Sequence, residues 1–176
     1  MSSAPDAARN PGSVGEQTAG AVPSGAAPAV ISGLPKRVVL DTNVLVSLYV
    51  FADSRFAPLR LRVQSGSWQA LTRDDCLDEF RRVLAYPQFR LDMETQLHAL
   101  ADYRGCASIL RRQASPDQVP LPRCKDRDDQ KFLELARDGN AELLVTADKA
   151  LLKLARRERL AGLFRILTPQ AALAIA

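Results

Sequence analysis

Histidine is almost missing from this chain of 176 residues: His98 is the only one. That scarcity constrains mechanism. A Ser–His or Cys–His nucleophile would have to use His98, which lies in the helical-looking stretch METQLHALADY with no partner motif around it. A structural or solvated role is therefore expected. Cysteine is sparse as well. Cys76, Cys106 and Cys124 are odd in number, widely spaced and form no CxxC pair. Reduced thiols are the expectation, and with one histidine the spacing of a structural zinc site is absent. No apolar run approaches the roughly 20 residues that span a bilayer. The N-terminus has no basic region followed by an apolar one, so no secretory signal is read. A cytoplasmic protein with no membrane partner is expected. No repeat appears.

Charge excludes less. The net charge is +4, which permits a polyanionic partner without requiring one. Basic residues gather in PLRLRV, at Arg81–Arg82, at Arg111–Arg112 and in KLARRERL. Most such clusters are solvated helix faces.

Residues 1–35 are dominated by Ala, Gly, Pro and Ser, with almost no large apolar side chains. Such a segment cannot bury enough surface to offset its ordering entropy. It reads as a disordered tail before one domain over residues 36–176. From Lys36 the pattern changes. RVVLD, WQALT, ELLVTAD and FRIL read as strands. NVLVSLYVF, PLRLRVQSG, RDDCLDEFRRVLA, DMETQLHALADYRGCASILRRQ, DDQKFLELARDGN and KALLKLARRERLAG read as helices, the fourth with a break allowed at Gly105, and PQAALAIA as a terminal turn. Alternating strands and helices imply an α/β fold with a central parallel sheet covered on both faces. In such sheets ligands gather at the carboxyl ends of the strands.

Acids fall at those ends. RVVLD finishes on Asp41, and LLVTAD reaches Thr146 with Asp148 just beyond. In a parallel sheet both lie on one edge, although either Asp could equally cap the helix that follows. In RDDCLDEFRRVLA, at about 100° per residue, Cys76, Leu77, Phe80, Val83 and Leu84 form one apolar stripe. Glu79 flanks it, Asp75 lies one turn back, and Asp78 points away. A solvated edge, or a salt bridge from Glu79 to Arg81 or Arg82, is the competing reading. In CKDRDDQKFLELA, Asp129 shares a face with Phe132, Leu133 and Ala136. Capping by Asp129 or Asp128 competes there, and Asp126 and Asp128 are either ligands or surface charge.

Four carboxylates on separate elements, Asp41, Glu79, Asp129 and Asp148, thus point to one edge. Like charges a few ångströms apart raise one another's pKa and destabilise a fold. A hard divalent cation, Mg²⁺ or Mn²⁺, resolves the conflict because it prefers oxygen ligands. Such an ion can activate water and stabilise a phosphoryl transition state, and positive surroundings can hold a phosphodiester backbone.

The ordered set VVLDTNVLVS, LDEFRRVLAYPQF, CKDRDDQKFLELA and LLVTADKALL resembles the motifs of PIN-domain proteins, in the branch of VapC-type toxin components of toxin–antitoxin pairs. The resemblance spans about residues 36–170. It implies a PIN-like three-layer α/β/α sandwich and a Mg²⁺- or Mn²⁺-dependent ribonuclease site that acts on RNA. It matches Asp41, Glu79, Asp129 and Asp148 to the family's four catalytic, metal-holding acids. Asn43 matches the polar residue beside the first acid, Thr146 the threonine of T-x-D, and Asp126 a frequent extra acid. The branch often reads D-x-D-L after the threonine, whereas this chain has Ala150 at the second acid's place. An antitoxin protein and a homodimer are the partners that the resemblance implies.

Three other readings compete. A haloacid-dehalogenase-type phosphatase needs a second Asp as general acid where this chain has Asn43. A receiver domain needs paired acids together with a later Thr and Lys. A non-catalytic PIN-like module that binds RNA or protein has no need of four converging carboxylates. The composition of the tail generates a direct expectation. Deleting residues 1–35 should leave the melting temperature unchanged, and a large drop would show that those residues belong to the core.

Overall fold

The first strand sets the frame. In β1 (Lys36–Leu40) the side chains of Val38 and Leu40 enter one apolar cluster and that of Val39 enters another, as the two-residue period of a strand buried on both faces requires. The structure is a computed structural model that describes residues 34–112 and 118–175. The tail read over residues 1–35 lies, up to residue 33, outside the described residues.

The chain then runs α1 (Thr42–Tyr49), α2 (Ala57–Gln64), β2 (Trp68–Thr72), α3 (Asp74–Leu84), α4 (Met93–Cys106), β3 (Ala107–Ile109), α5 (Gln130–Asp138), β4 (Leu143–Val145), α6 (Lys149–Leu154), β5 (Arg165–Leu167) and α7 (Pro169–Leu173). The five strands form one sheet in the order β3-β2-β1-β4-β5. Every pairing is parallel, with Val38 opposite Ala70 on one side and Leu143 on the other. One cluster joins this sheet to α1, α2, α4 and Ala172 of α7; the other joins it to α5 and α6. Helix α3 serves both, with Cys76 in one and Leu77, Phe80 and Leu84 in the other. The expected α/β sandwich of three layers is what the chain forms.

Local chemistry supports the elements. Helix α3 has Asp74 and Asp75 in its first turn and Arg81 and Arg82 in its last, each sign matched to the nearer pole of the helix dipole. The terminal segment, expected as a turn, is the helix α7. Thr168 caps it by accepting from the Ala171 amide, and Pro169 occupies its first turn, where its missing N–H costs nothing.

Two further expectations change. The helix read through residues 92–113 stops at Cys106, beyond Gly105, and Ala107–Ile109 pairs with β2 as an edge strand. Three residues are too few to display a strand period, and Gln113 lies outside the described residues. The helix read through residues 149–162 ends at Leu154, and a short 3₁₀ turn follows at Glu158–Leu160. Residues 155–159 are all exposed, so that basic stretch has no apolar face to hold it as a helix.

The turn from α5 into β4 tolerates no side chain. A Cβ on Gly139 would come within 2.6 Å of Leu71 Cδ1, 2.9 Å of Leu110 Cδ1 and 2.9 Å of the Leu135 carbonyl oxygen. The two methyls can swing away, but the carbonyl belongs to the last turn of α5. Gly139→Ala is expected to lower stability by about 1–3 kcal/mol, the usual range for overpacking. Urea denaturation checks this, and an unchanged midpoint would contradict it.

Candidate active site

Strands β1 and β4 end side by side, and the residues that follow them are tied together. The Asp41 amide continues the ladder by donating to the Val145 carbonyl at 3.0 Å. Beyond it, Asp41 and Thr146 are buried, at 3% and 0% exposure. The Thr146 hydroxyl donates to Asp41 Oδ2 at 2.5 Å, and Asn43 Nδ2 donates to the same oxygen at 2.6 Å. Asn43 Oδ1 accepts from the Ala147 amide at 3.1 Å, and Thr146 Oγ1 accepts from the Asp148 amide at 2.9 Å. The sequence D-T-N at one strand end and T-A-D at the next thus closes into a single hydrogen-bonded staple.

The capping alternatives separate cleanly. Asp41 and Asp129 hold the N-cap positions of α1 and α5, yet neither side chain caps. Asp148 does cap: its Oδ1 accepts from the amides of Ala150 and Leu151 at 2.7 and 2.9 Å. A bonded Oδ1 leaves Oδ2 as its open acceptor.

A hollow of about 460 Å³ opens at this edge. Asp41, Glu79, Asp126, Asp129 and Asp148 line it together with Thr42 and Asn43, and Val46, Phe51, Val83 and Phe89 close its other side. All four acids expected from the sequence therefore face one space, with Asp126 at an exposed position and Asn43 and Thr146 in support of Asp41. Burial pushes the Asp41 carboxyl above its ordinary value, opposed by the hydrogen bond from Thr146. Asp129 is pushed up to about 6, by burial first and then by the charges of Asp41, Asp148, Asp126 and Glu79.

Glu79 has a partner that sequence reasoning missed. Lys131 of α5 lies against its Oε2 as an ion pair, both side chains largely buried. The contact is not aligned as a hydrogen bond, since Glu79 Oε2 is buried and accepts none. The competing bridge from Glu79 to Arg81 or Arg82 does not form; Arg81 pairs with Asp78. Lys131 follows Asp129 by two residues, about 200° around a helix, so it turns to α3 while Asp129 turns to the hollow. No local signal in the sequence marks a contact between two helices so far apart in the chain. His98 takes the solvated of its two expected roles: it is exposed, 3.6 Å from Asp102 on α4.

The donor chemistry fits a hard divalent cation. Every candidate ligand is an oxygen, and the charges of Asp41, Asp148, Asp126 and Glu79 add to burial in raising Asp129, a repulsion that a bound cation would relieve. As the side chains stand, no group of three among the described residues is close enough to hold an ion, and the Lys131 ammonium supplies the countercharge at Glu79. Among the described residues no helix is long and apolar enough to cross a membrane.

A family model described as PIN domain matches residues 37–150, about two thirds of the chain. No curated protein sequence matches it.

The position of Asp129 generates a prediction for the metal-free protein. Its folded pKa lies above the unfolded value, so the folded state binds the extra proton. Its contribution is therefore fully present below about pH 4 and is lost as pH rises through about 6. Asp129→Asn removes that loss. In metal-stripped protein the variant should match wild type near pH 4, gain on it as pH rises to about 6 and hold that gain above it, as read by urea midpoints. A constant offset across that range would mean that Asp129 does not share the acids' field.

Proposed function

The chain belongs to the PIN-domain family, a family typically of metal-dependent nucleases, and on that premise we propose that it is a Mg²⁺- or Mn²⁺-dependent endoribonuclease. The observation that carries this reading is the single hollow at the carboxyl edge of the sheet, where Asp41, Glu79, Asp129 and Asp148 converge. These four side chains would hold the ion. When bound, it supplies Lewis acidity for phosphoryl transfer and activation of water.

The chain's own residues prepare the place for it. Thr146 and Asn43 both donate to Oδ2 of Asp41, which fixes the carboxylate in one orientation and favours its charged form against the cost of burial. Asp148, held by two amides of α6, presents its remaining oxygen from a rigid helix start. Asp129 and Glu79 come from α5 and α3, so the ligand set draws four elements of the fold together. Asp126 adds negative charge from an exposed position on the approach to α5.

The order and wording of the four motifs support placing the chain among toxin components of toxin–antitoxin pairs, with a cognate antitoxin protein and a second copy of the chain as partners. Residues 36–176 would be the nuclease domain and residues 1–35 a dispensable extension. Two observations favour a second reading, a module that binds RNA or protein without cutting it. Lys131 already neutralises Glu79, and the acids are not grouped closely enough to hold an ion.

Incubation of the purified full chain with total RNA decides between the two. Cleavage should appear with Mn²⁺, disappear with EDTA, and fall to background in Asp41→Asn. Thr146→Val, which keeps the shape but removes the donor to Asp41, should lower the rate by about 10–100-fold, the range for a residue that orients a metal ligand. Persistent cleavage in Asp41→Asn, from a preparation free of contaminating nuclease, would overturn the assignment. Intact RNA under all conditions would favour the binding module.

A further inference from the structure

A second cavity, of about 770 Å³, lies beside the acid hollow and has the opposite character. Six cations line it: Arg73, Arg112, Arg123, Lys125, Arg127 and Lys131. Three acids, Asp75, Asp128 and Glu134, face them, and two of these are already engaged. Asp75 takes the Nε and Nη2 edge of Arg73 in a bidentate pair at 2.8 Å for each bond. Glu134 Oε2 is shared between Arg112 at 3.1 Å and Arg73 at 3.5 Å. Arg123, Lys125 and Arg127 have no ion pair among the described residues.

Arg73 is the built part of this cavity. It is only 4% exposed, yet its Nη1 is buried with no acceptor. A guanidinium offers donors on more than one edge. Asp75 occupies one, and the nitrogen that Asp75 does not reach is left wanting an oxygen. A phosphate group supplies several oxygens and the charge that the surplus of cations calls for.

The cavity also connects to the acids. Lys131 and Asp128 line both this cavity and a smaller cleft that contains Glu79. Glu79 in turn lines the acid hollow. Arg123 is shared with a third hollow that is lined by Arg156, Arg157 and Arg159 as well as Glu158. The basic lining therefore extends through Arg123 beyond one cavity, more than a single small molecule would need.

We propose that this basic cavity is a phosphate-binding subsite that holds the backbone of a single-stranded RNA one or more nucleotides away from the acid hollow. The proposal deepens the nuclease reading and rests on it for the identity of the polyanion. Lys131 stands at the junction, with its ammonium on Glu79 and its wall on the basic side.

Arg73 also pins the start of α3 through Asp75, so its replacement risks the fold. The exposed pair Lys125→Gln/Arg127→Gln is the test. Wild-type full chain and variants are titrated with a fluorescein-labelled single-stranded RNA 12-mer in EDTA, by anisotropy, over a series of salt concentrations. A control, Arg104→Gln/Arg165→Gln, removes the same charge at two exposed sites that do not line the cavity. The Lys125/Arg127 variant should bind at least about fivefold more weakly, with the slope of log affinity against log salt reduced by about 1.4, or about 0.7 for each lost phosphate contact. The control should keep the wild-type slope. Equal weakening in both variants, no weakening in either, or no binding by the wild type would each overturn the subsite. Because no cleavage is read, an inactive protein with the expected slopes would retain the subsite and reject the nuclease.

Discussion

The bond from the Thr146 hydroxyl to Asp41 Oδ2 joins the ends of two neighbouring parallel strands, and the site is arranged around it. A carboxylate at 3% exposure is stable only when its charge is met by donors. Thr146 and Asn43 meet it, and hydrogen bonds to a charged group are worth about 1.5–3 kcal/mol each. Thr146 also accepts from the Asp148 amide, so one hydroxyl fixes Asp41 and the backbone that carries the next acid. Parallel pairing makes this possible, because it alone brings the ends of β1 and β4 to the same edge.

Electrostatic tension is the counterpart of that convergence. Asp129 is raised by burial and by four neighbouring acids. The fold relieves the strain locally in two ways. The first amides of α6 neutralise part of Asp148, and Lys131 stands against Glu79. Neither relief reaches Asp41 or Asp129, which are the two acids raised by burial. A divalent cation is the ligand whose arrival would relieve both, and Lys131 would then be free to serve the basic side of the junction.

What the sequence disclosed follows the range of each signal. Asp41 and Thr146 were legible because a buried strand that ends on a polar residue is conspicuous, and because parallel strands end together. Glu79 was legible from a helix stripe whose members Cys76, Leu77, Phe80 and Leu84 are buried as expected. Asp129 followed from its phase with Phe132 and Leu133. Strand β3 escaped because three residues carry no period, and the end of α6 because propensity outlasts burial in a basic run. The Lys131–Glu79 pair and the orphaned Nη1 of Arg73 were invisible for another reason. Each is a contact between side chains on separate elements, set by how α3 and α5 pack rather than by any local pattern.

The central claim is that the acids at the sheet edge form one site for a divalent metal, anchored by Asp41. It is tested most directly by Mn²⁺ titration of the metal-stripped protein, followed by electron paramagnetic resonance of the free ion, for wild type and Asp41→Asn side by side. Wild type should remove Mn²⁺ from solution saturably, and Asp41→Asn should leave it free at the same concentrations. Equal uptake by the two proteins, or none by wild type, would contradict the account.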